Sequence, residues 1–231
     1  MKKIGIIGAM EEEIRLLKDE ISNIKIHNYY GFEFYHGSLS GKEVVLVQSG
    51  IGKVNASLST VLMVDHFAVD LIINTGSAGG LSPDLAVGDL VIADGLIHHD
   101  VNLLAFGYDQ GQMAGMPTIY QPDEKTSQLA YRLANENGQM AIRGLIASGD
   151  QFISDSQQVK TILQAFPNVK AVEMESAAIA QAAYVLKTPF IIIRSISDKA
   201  DEEAGMSFDE FILLAGRKSA EMVMNLLAQF D

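Results

Sequence analysis

Two carboxylates stand where an apolar strand gives way to an alanine-rich helix, in the stretch Ala171-Val-Glu-Met-Glu-Ser-Ala-Ala-Ile-Ala-Gln-Ala-Ala183. Val169 and Val172 predict the end of a strand and the run from Ala177 to Ala183 predicts a helix, so Glu173 and Glu175 fall on the junction. On one reading they are first-turn acids that complement the helix dipole, worth about 0.3–1 kcal/mol each. On the other they face a ligand. Strand-to-helix junctions at the carboxyl ends of strands are where open α/β sheets bind ligands, and a carboxylate there can accept hydrogen bonds from a pair of ligand hydroxyls. Two more acids have comparable placements. The apolar run Pro189-Phe-Ile-Ile-Ile-Arg-Ser-Ile196, whose one charge is Arg194, ends at Ser197-Asp198; Asp198 is either a helix N-cap or a functional carboxylate with a raised pKa. Ser207 with Glu210 three residues later forms a capping-box pattern, so the final helix is expected to begin at Ser207 without help from Asp198. Glu13 closes the triplet Glu11-Glu12-Glu13. At about 100° per residue, Glu12 points away from the apolar face of Ile14, Leu17 and Ile21, whereas Glu11 and Glu13 flank that face. Arg15 is placed to pair with Glu11, but Glu13 has Leu17 four residues on and borders the core without a helix-borne cation. Glu13 is therefore expected to project into a pocket.

The elements that must carry these groups follow from periodicity. Lys3 to Ile7 reads as a buried strand, Gly8-Ala9 as a turn and Met10 to Ile21 as a helix. Gly5-Ile-Ile-Gly-Ala-Met10 lacks the glycine spacing of a dinucleotide fingerprint. Phe32–Leu39 and Glu43–Ser49 predict a hairpin, followed by a small-residue loop, Gly50-Ile-Gly-Lys53, and a helix from about Val54 to Phe67. That loop is not a phosphate-binding loop, because Val47 stands where its first Gly should be and Val54 where Ser or Thr should follow the Lys. Leu71 to Asn74 predicts a core strand that delivers a second glycine-rich loop, Thr75-Gly-Ser-Ala-Gly-Gly80, either a simple turn or a backbone surface that closely approaches a ligand. A strand from Val87 to Ala93 follows, preceded by a turn at Gly88-Asp89 or just before it. Residues 100–121 are rich in Gly and Met, with Phe106 and Tyr108, and predict a lid or interface segment. Asp123–Asn137 predicts a helix, Arg143–Ser148 a strand and Gly149–Ile153 a third loop at a strand end. Adjacent His98 and His99 face opposite ways on a strand, so they do not form a metal site with Asp100. No metal or cofactor is expected.

A chain of 231 residues that is 48% hydrophobic and 20% charged fits one α/β domain, here residues 1–231, with no linker, repeat or low-complexity segment to divide it. It has no cysteine, hence no thiol nucleophile and no disulfide framework, which suits a reducing cytoplasm. The opening Met1-Lys-Lys-Ile-Gly-Ile-Ile has too short an apolar part for a signal peptide and runs into three glutamates, and no apolar run approaches the ~20 residues that span a bilayer. A net charge of −12 argues against nucleic acid and anionic membranes as partners.

Taken in order, Gly8-Ala-Met-Glu-Glu-Glu13, Ser49-Gly-Ile-Gly-Lys53, Asn74-Thr-Gly-Ser-Ala-Gly-Gly80, Ala105-Phe-Gly-Tyr108, Ser148-Gly-Asp150, Val172-Glu-Met-Glu175 and Ser197-Asp198 resemble, from end to end, the bacterial 5'-methylthioadenosine/S-adenosylhomocysteine nucleosidases. The resemblance implies an α/β fold, a three-layer αβα sandwich with a central mixed sheet as in purine nucleoside phosphorylases, and a homodimer. It implies hydrolysis of the N-glycosidic bond of adenosine thioethers by water, with 5'-deoxyadenosine as a further substrate. By the same resemblance Glu13 matches the general base that activates the water, Asp198 the general acid at adenine N7, and Glu175 the acceptor for the ribose hydroxyls, with Met174 beside the sugar. Phe152 and Ile153 match the adenine slot, Ser77 and Gly79 the loop near the water and base, and Arg194 a residue supporting the site. Met10, Ile51, Leu103, Phe106 and Phe208 match the apolar subsite for the 5'-substituent. The chain departs from the family pattern at Val101-Asn102-Leu103-Leu104, where members commonly carry Ala-Asp, and at Ala114, a position often filled by Pro. Both lie in the region the family uses for the dimer contact and the 5'-subsite.

Two rival readings are weaker. A phosphorylase of this type carries an Arg before the central glycine loop, where this chain has Ile73-Asn74-Thr75, and no Lys or Arg occurs between Lys53 and Lys125. A non-catalytic binding module would keep a pocket but has no need of both Glu13 and Asp198.

Overall fold

The computed structural model describes residues 3–201 and 203–230. In chain order the elements are β1 (Ile4–Gly8), α1 (Glu11–Glu20), β2 (Ser22–Tyr29), β3 (Phe32–Leu39), β4 (Lys42–Gln48), α2 (Lys53–Phe67), β5 (Leu71–Gly80), β6 (Leu90–His98), α3 (Glu124–Glu136), β7 (Ala141–Ser148), α4 (Ser156–Ala165), β8 (Val169–Glu173), α5 (Ser176–Leu186), β9 (Phe190–Asp198) and α6 (Ala204–Leu227). The strands form one sheet in the order β2-β3-β4-β1-β5-β8-β7-β6-β9, and β9 also pairs with β5, so its last five strands close into a ring. Pairing is mixed. β1 runs parallel to β4 and β5, and β9 parallel to β5, whereas β5 meets β8, and β6 meets β9, antiparallel.

Alternation along the strands builds a core on each face. Ile4, Ile6, Val44, Leu46, Leu71, Ile73, Ile191 and Ile193 join α1, α3 and α6 in one core. Ile7, Val45, Val47, Ile72 and Ile192 join α2 and α5 in the other. These are the three layers of an αβα sandwich with a mixed central sheet, the predicted fold class. A smaller cluster seats α4 through Ile162 and Phe166 on Ile97, Val169 and Val172. Among the described residues no helix is long and apolar enough to cross a membrane.

Several boundaries differ from expectation. β5 does not end at Asn74: it continues through the glycine-rich segment to Gly80, all ten residues buried, because it pairs with β9 from Ile72 to Ala78 and with β8 at Gly79 and Gly80. β6 runs on to His98 along β7. β2 was not anticipated from the sequence; it is an edge strand that leaves Ile24 and Ile26 exposed, 39% and 59%. Nor was α4, which is capped by Asp155 accepting from the Gln157 amide at 2.7 Å. α6 begins at Ala204 rather than Ser207, since the Asp201 carbonyl accepts the Ala204 amide (3.0 Å) and the Asp201 carboxylate the Glu203 amide (3.1 Å). Glu202 and the side chain of Ser207 lie outside the described residues. Glu11 pairs with Lys18 at 3.9 Å rather than with Arg15, because Lys18 is also held over the Tyr35 ring.

α6 crosses α1 at Gly216, where a Cβ would run into the Glu12 carbonyl and stand 3.2 Å from the Glu13 Cα. The obstruction is backbone, so no rotamer change relieves it. Gly216→Ala gains about 1 kcal/mol of helix propensity but overpacks at a cost of about 1–3 kcal/mol. A net loss of stability of about 1 kcal/mol is expected in urea unfolding; an unchanged or higher midpoint would show that the two helices separate freely.

Candidate active site

A cavity of about 810 Å³ opens at the carboxyl ends of β1, β5, β8 and β9 and is closed on one side by the first turn of α6. Its lining contains Glu13, Glu173, Glu175 and Asp198, all less than a tenth exposed, among mainly apolar walls. β1 and the Gly8-Ala9 turn bring in Glu13 on the first turn of α1. Its Oε2 accepts the amides of Ala9 (2.8 Å) and Met10 (3.2 Å), and its Oε1 accepts the Ser77 amide (2.8 Å) and hydroxyl (2.9 Å). Gly76 allows β5 to come this close: a Cβ there would lie 2.6 Å from Glu13 Oε1 and would strike the Arg194 guanidinium.

Asp198 ends β9 and also lines the cavity. Its Oδ2 accepts the Ser197 hydroxyl (2.8 Å) and its Oδ1 the Ala200 amide (2.8 Å). Burial outweighs both bonds and holds its carboxyl above the ordinary carboxylate range.

The two glutamates at the β8–α5 junction have different surroundings. Glu173 accepts the amides of Glu175 (3.1 Å) and Ser176 (2.9 Å), and it takes further bonds from the hydroxyls of Ser148 and Ser176 and from Arg194. It caps α5 and neutralises a fully buried guanidinium, so the dipole-complementing reading describes Glu173. Glu175 keeps one oxygen 3.7 Å from Arg194, and the other accepts the Gly52 amide at 2.9 Å. Burial, with the Glu173 charge beside it, pushes the Glu175 carboxyl up to about 8. Arg194 itself is disfavoured by burial, but the three glutamates outweigh that and hold it above its ordinary value.

Met10, Ile51, Phe152, Ile153, Met174 and Phe208 form apolar walls, with Ser77 and Gly79 on the floor. The Phe152 and Phe208 rings meet edge to face at 5.6 Å. Arg194 lies behind the lining rather than in it, bonded also to Asn74 Oδ1 at 2.8 Å. Leu103 and Phe106 do not line this chain's cavity; Phe106 is 78% exposed on the 100–121 segment.

The chain as a whole matches known proteins closely. The model of the phosphorylase superfamily matches residues 3–228. A 5'-methylthioadenosine/S-adenosylhomocysteine nucleosidase of Listeria monocytogenes is 53% identical over 97% of this chain and 98% of its own length. One from Geobacillus kaustophilus is 48% identical, covering 98% and 97%. The crystal structure of the Neisseria meningitidis nucleosidase in complex with methylthio-immucillin-A superposes with a TM-score of 0.98 at 48% identity, covering all of both chains. The chain belongs to this nucleosidase family of the phosphorylase superfamily.

Residues around the cavity that the sequence did not single out are Asn74, Ser176 and Ser197, each bonded to a charged group described above. Ser197 had a signal, its place beside Asp198; Asn74 and Ser176 had only proximity to other motifs. Gln151 and Asp209 also line the cavity.

The Glu175 environment has a pH signature. Folding raises this carboxyl from its ordinary 4.5 to about 8, so the folded state binds the additional proton. The resulting stability is full below the unfolded value and is lost as pH rises through the folded one. Melting temperature is therefore expected to fall between pH 4.5 and about 8, and Glu175→Gln to flatten that fall. Equal slopes in the two proteins would rule out this origin.

Proposed function

We propose that this chain hydrolyses the N-glycosidic bond of 5'-methylthioadenosine and S-adenosylhomocysteine, releasing adenine and the 5-thio-substituted ribose, and that residues 1–231 act as one cytoplasmic nucleosidase domain. The observation that carries this reading is that Glu13 and Asp198, both buried, line one mainly apolar cavity. Cleavage builds positive charge on the ribosyl ring and negative charge on the departing base. Asp198, whose burial favours the protonated form, gives its proton to adenine N7 as the bond breaks. Glu13 takes a proton from the attacking water as it adds to the cationic ring. Of the four donors on Glu13, the Ser77 hydroxyl alone can rotate away and free a lone pair for that water. Glu175 accepts from the ribose 2'- and 3'-hydroxyls beside Met174. Phe152 stacks on the base and Ile153 reads it through its main chain. The thioether lies against Met10, Ile51 and Phe208, where each buried methylene is worth about 0.8 kcal/mol and an unpaired hydroxyl would cost roughly 1–3 kcal/mol.

Incubation with methylthioadenosine should release free adenine and a reducing sugar at the same rate with and without phosphate; dependence on phosphate would make the chain a phosphorylase. Glu13→Gln and Asp198→Asn should each lower kcat by at least about a hundredfold while inhibitor binding persists. Near-normal turnover by either variant would remove that residue from its role.

The reading includes a homodimer. Val54, Leu58 and Val61 project from α2, 70%, 50% and 44% exposed, and Tyr184 and Val185 from the adjoining α5, 54% and 57%. Leu104 and Phe106 are exposed as well, 55% and 78%, so the chain leaves large apolar side chains in water that association can cover. Pairing two copies through α2 and α5 would bring Leu103 and Phe106 of each protomer to the other's 5'-subsite. Val54→Asp with Leu58→Asp should yield a monomer in sedimentation whose KM for methylthioadenosine is raised about tenfold or more. A monomeric variant with unchanged KM would refute the shared site.

A further inference from the structure

Two motifs that bond cleavage leaves unused, Gly50-Ile-Gly-Lys53 and His98-His99-Asp100, meet at the rim of the cavity. Lys53 Nζ donates to both oxygens of Asp100, at 2.6 and 2.7 Å. Asp100 Oδ2 accepts the Asp150 amide at 3.0 Å, and Asp150 Oδ1 accepts the Lys53 amide at 2.8 Å. These bonds close a ring from Lys53 to Asp100, on to Asp150 and back to Lys53, joining three separate loops. Burial alone would raise the Asp100 carboxyl, but Lys53 and the Asp150 amide outweigh it and hold the group below its ordinary value.

The ring ends on site groups in both directions. Gly52, one residue before Lys53, donates its amide to Glu175 Oε1 at 2.9 Å. Asp150 is followed by Gln151, Phe152 and Ile153 of the cavity wall. Behind the ring, the His99 amide is bonded to the Ser148 carbonyl (2.9 Å) and the Gly149 amide to the Glu173 carbonyl (3.1 Å), so Asp100 and Asp150 hang from the ends of paired strands. An isolated surface ion pair fixes little. Here the side chains of Lys53 and Asp100 are only 20% and 21% exposed, and half the bonds are to main-chain amides, so the pair constrains backbone.

We infer that Lys53 and Asp100 are positioning residues for the reaction: they clamp the 149–153 wall to the 50–53 loop, which sets Phe152 and Ile153 against the base and the Gly52 amide on Glu175. The substrate part of this inference rests on the nucleosidase reading. The clamp touches no reacting atom, so it acts on binding shared by ground and transition states, and its loss appears in KM rather than kcat.

The test uses the full chain carrying Lys53→Met, Asp100→Asn, both together, or Lys53→Arg. Amide hydrogen exchange, read without substrate, should speed up about tenfold or more across 149–153 and 50–53 in the first three, while the sheet amides stay protected. KM for methylthioadenosine should rise about tenfold with kcat within about threefold of the parent. The double variant should be no worse than either single one, because the two residues form one unit, and Lys53→Arg should restore KM. Unchanged exchange and KM would overturn the inference. So would a fall in kcat at constant KM, or losses that multiply in the double variant. Since exchange needs no turnover, a parent protein that releases no adenine would defeat the nucleosidase reading alone.

Discussion

The burial of Arg194 constrains everything around it. A guanidinium taken from water costs several kcal/mol unless it is paired and fully hydrogen-bonded, and this one lies in the middle of β9 with no exposure at all. Its partners come from three other elements: Glu173 ends β8, Asn74 lies on β5 and Ser176 opens α5. The requirement to satisfy one cation thus brings two strands of the closed ring and a helix terminus to a single point beside β9. Glu173 in turn takes the Ser148 hydroxyl from β7 and the first amides of α5. Glu175 follows two residues later, so its place in the cavity is set by a pair that lies mostly beneath it.

The same residue type acquires different chemistry because the backbone treats each copy differently. Glu13 is met by three amides and a hydroxyl, arranged by a tight turn and by a strand that Gly76 brings close. Glu173 is neutralised by a guanidinium. Glu175 has one amide and a more distant share of that guanidinium, too little to offset its burial, and Asp198 has one hydroxyl and one amide and lies likewise above its ordinary value. Environments that push neighbouring acids apart are what allow acid and base roles to coexist near neutral pH.

Much of this was legible before any coordinates, and what was not has physical causes. Glu13, Glu173, Glu175 and Asp198 stood out by their places at strand ends and helix starts, and all four line the cavity, together with Asp209, which gave no such signal. β2 escaped because its apolar residues, Ile24 and Ile26, face outward from an edge strand rather than into a core. α4 escaped because its helix buries little more than Ile162. The glycine-rich half of β5 was read as a loop since local propensity favours turns there. Pairing with β9 on one side and β8 at the end supplies the stabilisation that the glycines lack. Ser207 offered a sound capping pattern, yet α6 begins three residues earlier because Asp201 bonds to its opening amides. The role of Glu173 depended on Arg194, twenty-one positions away in sequence, and no local rule links the two.

Charge decides between water and phosphate as the attacking group. A phosphorolytic site must hold a dianion beside the ribose, which calls for Arg or Lys side chains free to bond it. Among the described residues, the cavity lining includes carboxylates but no Lys, Arg or His. Arg194 lies nearest, yet its Nη2 is bonded to Glu173 and the guanidinium stands behind the lining. Admitting phosphate would set a dianion against the Glu13 carboxylate in a poorly screened interior, where like charges repel more strongly than in bulk water. Water carries no such penalty. It needs an acceptor for its proton, which on the proposed reading is Glu13, and a cation to attack, which the departing adenine leaves.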